Sequence, residues 1–374
     1  MKPIQMVDLK SQYQKIKPEV DQKILEVIES SGFINGPAVK EFQNSLEHYL
    51  KIKHVIPCGN GTDALQIAMM ALGLQPGDEV ISTPFTFIAT VEVVGLLGLT
   101  PVFVDVERDT FNMDVTQVEK AITPKTKAIV PVHLFGQCCN MEEIMRIAEK
   151  HRLYVIEDAC QSIGADITFS NGTVKKAGTI GHIGCTSFFP SKNLGGYGDG
   201  GAIFTNDDKL DYKLRGIVNH GMFTRYYHDM IGVNSRLDTI QAAILDIKLK
   251  HLDEYVIARQ QAAVFYNRAF ENHPQLEIPV ISPFTSHVFH QYTLKLKNVN
   301  REKLIEKMNQ AGVPVMIYYP VPLHLQKAFQ HLGLKEGDFP VTEELCKEVV
   351  SLPMHTELDE EQLQFIVKNF LASL

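Results

Sequence analysis

The feature that most limits how this chain can fold is an alternation of short β-branched runs with helical stretches, which continues up to about Thr205. Helical patterns such as TDALQIAMMALGL and NMEEIMRIAEKH lie among the strand-like runs EVIST, PVFVDV, KAIVPVHL, YVIEDA and GAIFTN. Strands that alternate with helices at this spacing indicate βαβ units. The pattern therefore predicts an α/β fold with a large, doubly wound, mainly parallel sheet, whose ligands bind beyond the carboxyl ends of the strands.

The pattern changes after Asn234, where apolar residues recur three or four positions apart over a long segment. This spacing predicts one long helix that is bent or broken and that leaves the first domain. Beyond it, the strand-like run QYTLKL precedes a helix that Asn300 caps and Gly312 ends, and a further helix closes the chain. We expect a large domain over residues 1–250, with an N-terminal arm, and a smaller C-terminal α+β domain over residues 251–374.

The composition limits the partners and the compartment. The chain has 374 residues, 45% hydrophobic and 21% charged, with a formal net charge of −8, so no basic excess indicates nucleic acid or an anionic membrane as a partner. The N-terminal residues lack the apolar core of a signal peptide, and Glu92 and Pro101 interrupt the most apolar stretch, residues 88–104. We therefore expect a cytoplasmic protein. Six cysteines without a C-x-x-C pair, and no metal-ligand spacing, predict neither a disulfide framework nor a metal site.

A glycine-rich stretch, SFFPSKNLGGYGDGGAIFTND at residues 187–207, places Lys192 just before a group of glycines. Residues 196–201 match the G-x-G-x-x-G pattern of dinucleotide-binding loops, but that pattern requires a helix after the glycines. Here the strand-like AIFTN follows, which argues against a nicotinamide oxidoreductase. The chain also lacks a Walker A loop and the H-R-D and D-F-G motifs of kinases. A lysine on a loop is usually a solvated charge, so its surroundings must decide its function.

Polar residues at other strand ends supply those surroundings. Asp158 lies at the end of the run YVIEDA, and Gln161 follows three positions later. A carboxylate here can keep a pyridinium nitrogen protonated, and the alternative is that Asp158 only caps a helix. Ser187, five positions before Lys192, can donate a hydrogen bond to a phosphate.

A helix start and an aromatic residue complete the pattern. Gly61, Thr62 and Asp63 begin a helical stretch, where free N–H groups and the helix dipole favour a phosphate, although a simple helix cap accounts for the same residues. Phe87, in STPFTFIATVE, lies either where an aromatic ring can stack on a planar cofactor or in the core. Together with an imine-forming lysine, these residues predict a site for pyridoxal 5′-phosphate.

The chain resembles the DegT/StrS-type nucleotide-sugar aminotransferases, which belong to the fold-type I pyridoxal phosphate-dependent transferases. The resemblance covers nearly the whole chain, in the same order, through the segments GNGTDAL, PFTFIAT, EDACQSIGA, SFFPSKNLGGYGDGGAIFTND, GVNSRLDTIQAAIL and YYPVPLH. It implies the fold-type I architecture, pyridoxal 5′-phosphate as the cofactor and a homodimer with shared active sites.

The resemblance also implies a role for each candidate residue. It implies that Lys192 forms an imine with the cofactor, that Asp158 pairs with the pyridine nitrogen and that Gln161 reaches the phenolic oxygen. The residues implied to hold the phosphate are Gly61, Thr62, Asp63 and Ser187. Phe87 is implied to pack on the ring face, although many relatives have Tyr or Trp there, so a hydrogen bond from that side chain is absent here. Asn234 is implied to reach the phosphate bound by the partner.

The implied reaction is transamination, in which glutamate donates an amino group that a keto nucleotide sugar takes, with ping-pong kinetics. A sugar dehydratase of the same fold has His in place of the lysine, whereas this chain has Lys192. A non-catalytic regulator that binds the cofactor is the alternative from a different class. It needs a DNA-reading domain, whereas residue 1 leads almost directly into the enzyme fold.

The residues around Lys192 most resemble the branch of the family that aminates the 3-position of the sugar. Within that branch, the segments SFFPSKNLGGYGDGGAIFTND and GVNSRLDTIQAAIL most resemble those of enzymes acting on UDP-2-acetamido-2-deoxy-3-oxo-glucuronate. This resemblance implies a role in surface polysaccharide or lipopolysaccharide synthesis. Arg236 is a candidate partner for the uronate carboxylate, and Tyr318 and Tyr319 are candidates to line the same pocket. The alternatives are that Arg236 pairs with Asp238 or another acid at the dimer contact, and that the tyrosines only pack. A dTDP-3-oxo-6-deoxyhexose or a 4-oxo nucleotide sugar is the alternative substrate.

Overall fold

The computed structural model describes residues 2–374, so Met1, the first residue of the expected N-terminal arm, lies outside the described residues. The strands of the first half are, in chain order, β1 (His54–Cys58), β2 (Glu79–Ser82), β3 (Thr100–Phe103), β4 (Thr126–Ile129), β5 (Tyr154–Asp158), β6 (Asp166–Thr168), β7 (Val174–Lys176), β8 (Ile183–Ser187) and β9 (Gly201–Thr205). All except β6 and β7 form one sheet in the spatial order β1-β9-β8-β5-β4-β2-β3. β9 runs antiparallel to both of its neighbours, and the other adjacent pairs are parallel. The predicted large, mainly parallel sheet is confirmed.

Helices cover this sheet and build much of the C-terminal part. The α-helices of residues 2–374 are α1 (Leu9–Ser30), α2 (Pro37–Leu50), α3 (Gly61–Leu72), α4 (Ala89–Leu96), α5 (Val115–Ala121), α6 (Met141–His151), α7 (Asp208–Ile217), α8 (Thr239–Lys250), α9 (Leu252–Phe270), α10 (Arg301–Gln310), α11 (Pro340–Glu348) and α12 (Glu360–Ser373). The side chain of Asn60 caps α3 and that of Asn140 caps α6, each by accepting a hydrogen bond from a free backbone N–H group. In this described range, no helix combines the length and the apolar character that crossing a bilayer requires.

Both faces of the sheet are buried, as a doubly wound fold requires. Successive residues of a strand point to opposite faces. Accordingly, Val80 and Ile156 pack in one hydrophobic cluster with α3, whereas their neighbours Ile81 and Val155 pack in another cluster with α6. The continuous apolar runs of β2 and β5 therefore follow from burial on two sides, and the polar residues after each run mark its end at the edge of the sheet.

Two smaller sheets follow the central one. β10 (Met222–Thr224) and β11 (Tyr227–His228) form a hairpin in which Tyr226 and Tyr227 are exposed. β12 (Leu276–Glu277), β13 (Tyr292–Leu296) and β14 (Val349–Leu352) form an antiparallel sheet, which packs with α9, α10 and α12 in a second hydrophobic core. This arrangement is the C-terminal α+β architecture that the sequence predicts.

The long helix predicted after Asn234 is broken at His251, between α8 and α9. The first turn of α9 packs, through Leu252, in a hydrophobic cluster with α2, α8 and β9. Further along the same helix, Tyr266 and Phe270 pack in the C-terminal core. Ile4, which precedes α1, also packs in the C-terminal core. We propose the break as the boundary between a large domain over residues 1–250 and a small domain over residues 251–374, with the N-terminal arm contacting the small domain.

Candidate active site

A cavity of about 640 Å³ opens at the carboxyl ends of β5 and β8, whose last residues, Asp158 and Ser187, line it. The predicted site residues that line this cavity are Gly61, Thr62, Asp63, Phe87, Asp158, Gln161, Ser187, Lys192, Tyr318 and Tyr319. Asn234 and Arg236 do not line the cavity of their own chain. Residues distant in sequence meet here because the carboxyl ends of parallel strands lie along one edge of the sheet.

The N-terminus of α3 forms one end of the cavity. The Asn60 side chain accepts a hydrogen bond from the Asp63 N–H group at 2.8 Å, so this N–H group is occupied by the cap. The N–H groups of Gly61 and Thr62 donate no hydrogen bond within residues 2–374. Free N–H groups at the positive end of a 12-residue helix, beside the Ser187 hydroxyl, are suited to an anion such as a phosphate.

Gly61 brings the start of α3 close to the end of β8. A Cβ atom at this position would lie 2.8 Å from the Ser187 Cβ atom and 2.9 Å from the Cys160 Sγ atom. Real side chains do not approach so closely, so only glycine fits this contact without displacing a neighbour. The glycine therefore holds the helix start and the strand end together around the cavity.

Asp158 is fixed by hydrogen bonds to both of its carboxylate oxygens. Oδ2 accepts the Thr90 hydroxyl at 2.8 Å, and Oδ1 accepts the Cys160 N–H group at 3.2 Å. A turn, and not a helix, follows β5, so the alternative in which Asp158 caps a helix is not realised. Asp158 is 6% exposed, and a buried carboxylate of this kind favours an opposite charge within the cavity.

Lys192 lines the cavity on the loop between β8 and β9, and its side chain makes no hydrogen bond within residues 2–374. Burial lowers the pKa of the Lys192 ammonium group below its ordinary value, while the nearby Cys160 and Asp158 act in the opposite direction. A lower pKa leaves more of the lysine as a free amine at neutral pH, which is the form that attacks a carbonyl carbon.

Phe87 and Gln161 lie at the sides of the cavity. Phe87 is 56% exposed, so it is not the core residue that the sequence left as its alternative, and its ring is open to a ligand. Gln161 accepts the Phe135 N–H group at 2.8 Å and donates to the Tyr319 hydroxyl at 3.2 Å. These two bonds fix the orientation of the Gln161 amide, and its second N–H bond is left for a ligand.

The GVNSRLD segment runs beside the N-terminus of α3. Ser235 donates a hydrogen bond to the Asp63 carboxylate at 2.7 Å and accepts one from the Gly59 N–H group at 2.9 Å. Asn234 is exposed and Arg236 is half-buried. Within residues 2–374, Arg236 makes no ion pair with Asp238, so the Arg236–Asp238 pair considered from the sequence does not form within a single chain. That Asn234 reaches the partner's phosphate stays a prediction.

Sequence reasoning missed several residues of this site. Asn60 and Thr90 lie inside the segments GNGTDAL and PFTFIAT, so the cap pattern and the hydroxyl were available as signals. Ser235 was equally visible in GVNSRLD. His290 lies in the cavity wall about a hundred residues after Lys192, and no local pattern marks it.

The charges that line the cavity are unbalanced. Lys192 is its only Lys or Arg, whereas Asp63, Asp158 and Asp199 are acidic. Across the described part of the chain, no cluster of His, Cys, Asp and Glu could hold a metal ion. The free N–H groups at the start of α3 therefore suit the anionic end of an organic ligand, and the carboxylate of Asp158 suits a basic ring nitrogen in the same ligand.

These residues fit pyridoxal 5′-phosphate. The unpaired N–H groups of Gly61 and Thr62 suit its phosphate, the buried carboxylate of Asp158 suits its ring nitrogen, and the unpaired amine of Lys192 suits its aldehyde. The fold and the cavity thus define a fold-type I pyridoxal phosphate enzyme, the class that the sequence predicts.

Comparison with known proteins identifies the family. Residues 14–371 match the model of the DegT/DnrJ/EryC1/StrS aminotransferase family, and the chain belongs to this family. Its cofactor is pyridoxal phosphate, and the chain is a pyridoxal phosphate-dependent sugar aminotransferase.

Three relatives match nearly the whole chain. The chain is 48% identical to a pleiotropic regulatory protein of Geobacillus stearothermophilus, over 98% of this chain and 97% of the relative. It is 45% identical to the UDP-2-acetamido-2-deoxy-3-oxo-D-glucuronate aminotransferase of Pseudomonas aeruginosa, over 97% and 98% of the two chains. It is 44% identical to a UDP-N-acetyl-3-dehydro-alpha-D-glucosamine 3-aminotransferase of Acidithiobacillus ferrooxidans, over 96% and 95%.

Solved structures agree with this assignment. A family member from Brucella abortus superposes with a TM-score of 0.93 at 42% identity, over 99% of each chain. The NtdA protein of Bacillus subtilis, solved with bound cofactor PMP, superposes with a TM-score of 0.88 at 32% identity, over 98% of this chain and 83% of that one. The predictions of the fold, the enzyme class and the cofactor are therefore confirmed.

Proposed function

We propose that this enzyme moves an amino group from glutamate to a 3-oxo nucleotide sugar, and that the sugar is UDP-2-acetamido-2-deoxy-3-oxo-glucuronate. The observation that carries the proposal is the 45% identity, over almost the full length of both chains, to a Pseudomonas aeruginosa enzyme named for this substrate. The product is an amino sugar nucleotide for surface polysaccharide synthesis.

Lys192 is the residue that we assign to proton transfer. When bound, pyridoxal phosphate supplies an aldehyde carbon that carries the amino group and a ring that withdraws electrons from the substrate carbon. Burial lowers the pKa of the Lys192 ammonium, so Nζ, as a free amine, would take the proton from the donor carbon and deliver it to the carbon that carries the amino group on the cofactor. The cavity wall leaves Nζ without a competing hydrogen bond.

Asp158 and its partners fix the electrostatics opposite Lys192. The carboxylate of Asp158 would hold the ring nitrogen in its protonated form, because a buried negative charge favours a neighbouring positive one. The hydroxyl of Thr90 and the N–H group of Cys160 hold that carboxylate in one orientation. We assign Phe87 to pack on the ring face, which also limits the access of water.

We propose that a second copy of the chain completes the substrate end of the cavity. A uronate nucleotide sugar carries a diphosphate and a carboxylate, yet Lys192 is the only Lys or Arg in the lining. Anions in a protein site need cations or free N–H groups. The required cations therefore come from outside this lining, and Arg236 is the candidate, with Asn234 beside it.

We assign Arg236 to the uronate carboxylate. Its guanidinium is half-buried and forms no ion pair with Asp238, so it is free to make a bidentate contact. We assign Tyr318 and Tyr319 to the sugar pocket, since both line the cavity. Tyr319 also packs edge-on against Phe85, so it has a packing role in addition.

A panel of keto-sugar nucleotides with glutamate tests the proposal. The uronate and UDP-2-acetamido-2-deoxy-3-oxo-glucose differ only in a carboxylate at carbon 6, so they form a matched pair. Arg236→Ala is expected to raise the KM for the uronate about 30-fold or more, because a buried charge pair is worth about 2 kcal/mol or more. The KM for the matched glucose is expected to change little, and Arg236→Lys should recover part of the loss.

Two results would contradict the substrate assignment. One is a wild-type preference for the glucose derivative, the dTDP-3-oxo-6-deoxyhexose or a 4-oxo sugar. The other is an equal loss on both members of the matched pair.

The A. ferrooxidans relative favours the glucose derivative as the second candidate. Because the G. stearothermophilus relative is named a regulatory protein, the absence of turnover on every sugar would favour the cofactor-binding regulator.

A further inference from the structure

Lys248, on α8, is a buried amine that none of the roles assigned above uses. It is 1% exposed, and no carboxylate within residues 2–374 pairs with it. Its Nζ atom donates a hydrogen bond to the Gly195 carbonyl and lies 5.3 Å from the centre of the Tyr197 ring. Burial of an amine without an acid is unfavourable, so a polar group at this position indicates a task that an apolar side chain of the same length could not perform.

The carbonyl that Lys248 contacts belongs to the loop between β8 and β9, three residues after Lys192. Gly195 is buried, and Lys248 is the only donor to its carbonyl within the described residues. A buried carbonyl without a donor is unfavourable, so loss of this amine would favour another orientation of the peptide group. Lys248 therefore fixes the direction in which the Gly195 carbonyl points.

The loop folds back on itself around Lys192. A Cβ atom at Gly195 would lie 2.7 Å from the carbonyl carbon of Pro190, so the backbone of these two residues is in direct contact. Next to it, the Gly196 N–H group donates to the Phe188 carbonyl at 2.8 Å. Lys192 thus lies between two arms that touch each other, and a displacement of Gly195 would pass to both sides of the lysine.

The loop is also held at other points. The Gln241 side chain accepts the Tyr197 N–H group at 2.7 Å. Gln241 and Lys248 lie seven positions apart, or about two turns, so both face the loop from the same side of α8. From outside α8, the Asn193 side chain donates to the Val288 carbonyl at 2.9 Å. Of the two contacts from α8, that of Lys248 lies nearer in sequence to the reactive lysine.

We propose that Lys248 is a positioning residue, which holds the Gly195 carbonyl and thereby keeps the backbone of Lys192 in the place from which Nζ acts. This inference rests on the proposed function, in which Lys192 transfers a proton. An ammonium group and a neutral amine both carry N–H bonds, so the contact forms in either protonation state of Lys248. Because a small displacement of a catalytic group slows a reaction strongly, the contact should affect the rate more than the binding of substrates.

The first arm of the test follows hydrogen–deuterium exchange by mass spectrometry in the enzyme as purified, so it does not depend on turnover. Lys248→Met keeps the length of the side chain and removes the donor, whereas Lys250→Met makes the same change at an exposed position of the same helix. In Lys248→Met we expect the amides of residues 189–198 to exchange about tenfold faster, because the buried carbonyl loses its donor. The amides of β9 should change little, and Lys250→Met should exchange like the wild type.

The second arm measures turnover with glutamate and the preferred sugar of the panel. We expect Lys248→Met to lower kcat about 10- to 100-fold, with both KM values within about twofold of the wild type. Lys250→Met should keep the wild-type rate. Circular dichroism shows whether the variants fold. If Lys248→Met does not fold, Lys248→Gln, whose amide donor is one bond shorter, replaces it, and a smaller loss of the same kind is expected.

Three results would overturn the proposal. They are unchanged exchange of the loop in the folded variant, faster exchange with an unchanged kcat, and a loss that appears in KM and not in kcat. If the wild type aminates no sugar, the proposed function fails, and the exchange arm still decides whether Lys248 holds the loop of Lys192.

Discussion

The cofactor end and the substrate end of the cavity differ in how far one chain completes them. At the cofactor end, the Asp63 and Asp158 carboxylates are held by hydrogen bonds from Ser235 and Thr90, within one chain. At the substrate end, no arginine lines the wall. The first region is preorganised for its ligand, and the second is open.

This difference indicates two ways of building a binding site. Groups that are already oriented lose little entropy when the ligand binds, so the cofactor end suits a ligand that stays bound through turnover. Substrates must enter and leave, and a multiply charged sugar nucleotide needs cations that this wall lacks. We expect substitutions at the cofactor end to stop the chemistry, and substitutions at the substrate end to change which sugar is used and which subunit supplies the contact.

The largest effect is expected at Lys192. Lys192→Ala removes the amine to which we assign the covalent bond with the cofactor and the proton transfer, so transamination should fall by at least about a thousandfold. Borohydride should no longer fix the cofactor to the chain, whereas the free cofactor should still bind through the start of α3. Lys40→Ala, at an exposed lysine, is the control. A variant that turns over at the wild-type rate would show that Lys192 is not the catalytic amine.

Mixed dimers test whether the substrate end is shared. Lys192→Ala lacks the amine, and the Asn234→Ala/Arg236→Ala double variant lacks the groups that we assign to the partner's site. Random exchange makes half of the dimers hybrid, each with one intact site, so about a quarter of the wild-type activity should return. Exchange is verified by native mass spectrometry of tagged subunits. No recovery after verified exchange would mean that each chain completes its own site.

Gly61 tests the preorganisation of the cofactor end. Gly61→Ala pushes a methyl group against Ser187 and Cys160, and such overpacking costs about 1–3 kcal/mol. We expect the start of α3 to shift and the Kd for the cofactor to rise about tenfold, as measured by fluorescence titration. Gly95→Ala is the matched control, because its Cβ would meet no atom within 4 Å. An unchanged Kd would show that the cofactor end tolerates movement.

The smallest effect concerns Lys248, whose Nζ donates to the Gly195 carbonyl on the far side of the glycine loop. Burial lowers the pKa of Lys248 to about 7, and the charge of Arg259 adds to this effect. The unfolded chain therefore binds a proton between pH 7 and about 10.4 that the folded chain does not, so the free energy of unfolding rises with pH in this window.

Urea unfolding of the wild type and of Lys248→Met at pH 7.5 and 9.5 measures this linkage. Between these values, the stability of the wild type should rise by about 2 kcal/mol more than that of the variant, since each pH unit contributes at most about 1.4 kcal/mol. The same change with pH in both proteins would mean that Lys248 is charged in the folded state.

Much of the fold was predictable, because it depends on local patterns. The strand-like runs form β2, β3, β4, β5 and β9, and the break in the long helix lies at His251. Rejecting a dinucleotide loop at residues 196–201 was also correct, because β9 directly follows the glycines. In each case, neighbours in sequence decide the conformation.

The candidate site was only partly predictable. Ten of the proposed residues line one cavity. Eight of them lie at the end of a strand, in the loop after one or at the start of α3, whereas Tyr318 and Tyr319 come from the C-terminal part of the chain. The contact of Ser235 with Asp63 joins segments 172 positions apart, and no local signal reports it. The sequence also left open whether Asp158 capped a helix and whether Phe87 lay in the core. Those alternatives concern burial and partners, which one segment cannot define.

The sequence by itself determined the fold class and the cofactor, and it singled out Lys192 as the candidate amine, because hydrophobic periodicity, capping residues and glycine spacing act over a few residues. Only the tertiary structure decided that Thr90 and Cys160 hold Asp158, that Asn234 and Arg236 lie outside their own chain's cavity, and that His290 lies beside the lysine loop. These relations depend on how the strand ends, α9 and the C-terminal segment pack around the cavity. Such packing depends on the whole chain, because buried polar atoms need hydrogen-bond partners and these partners often come from segments that are distant in sequence.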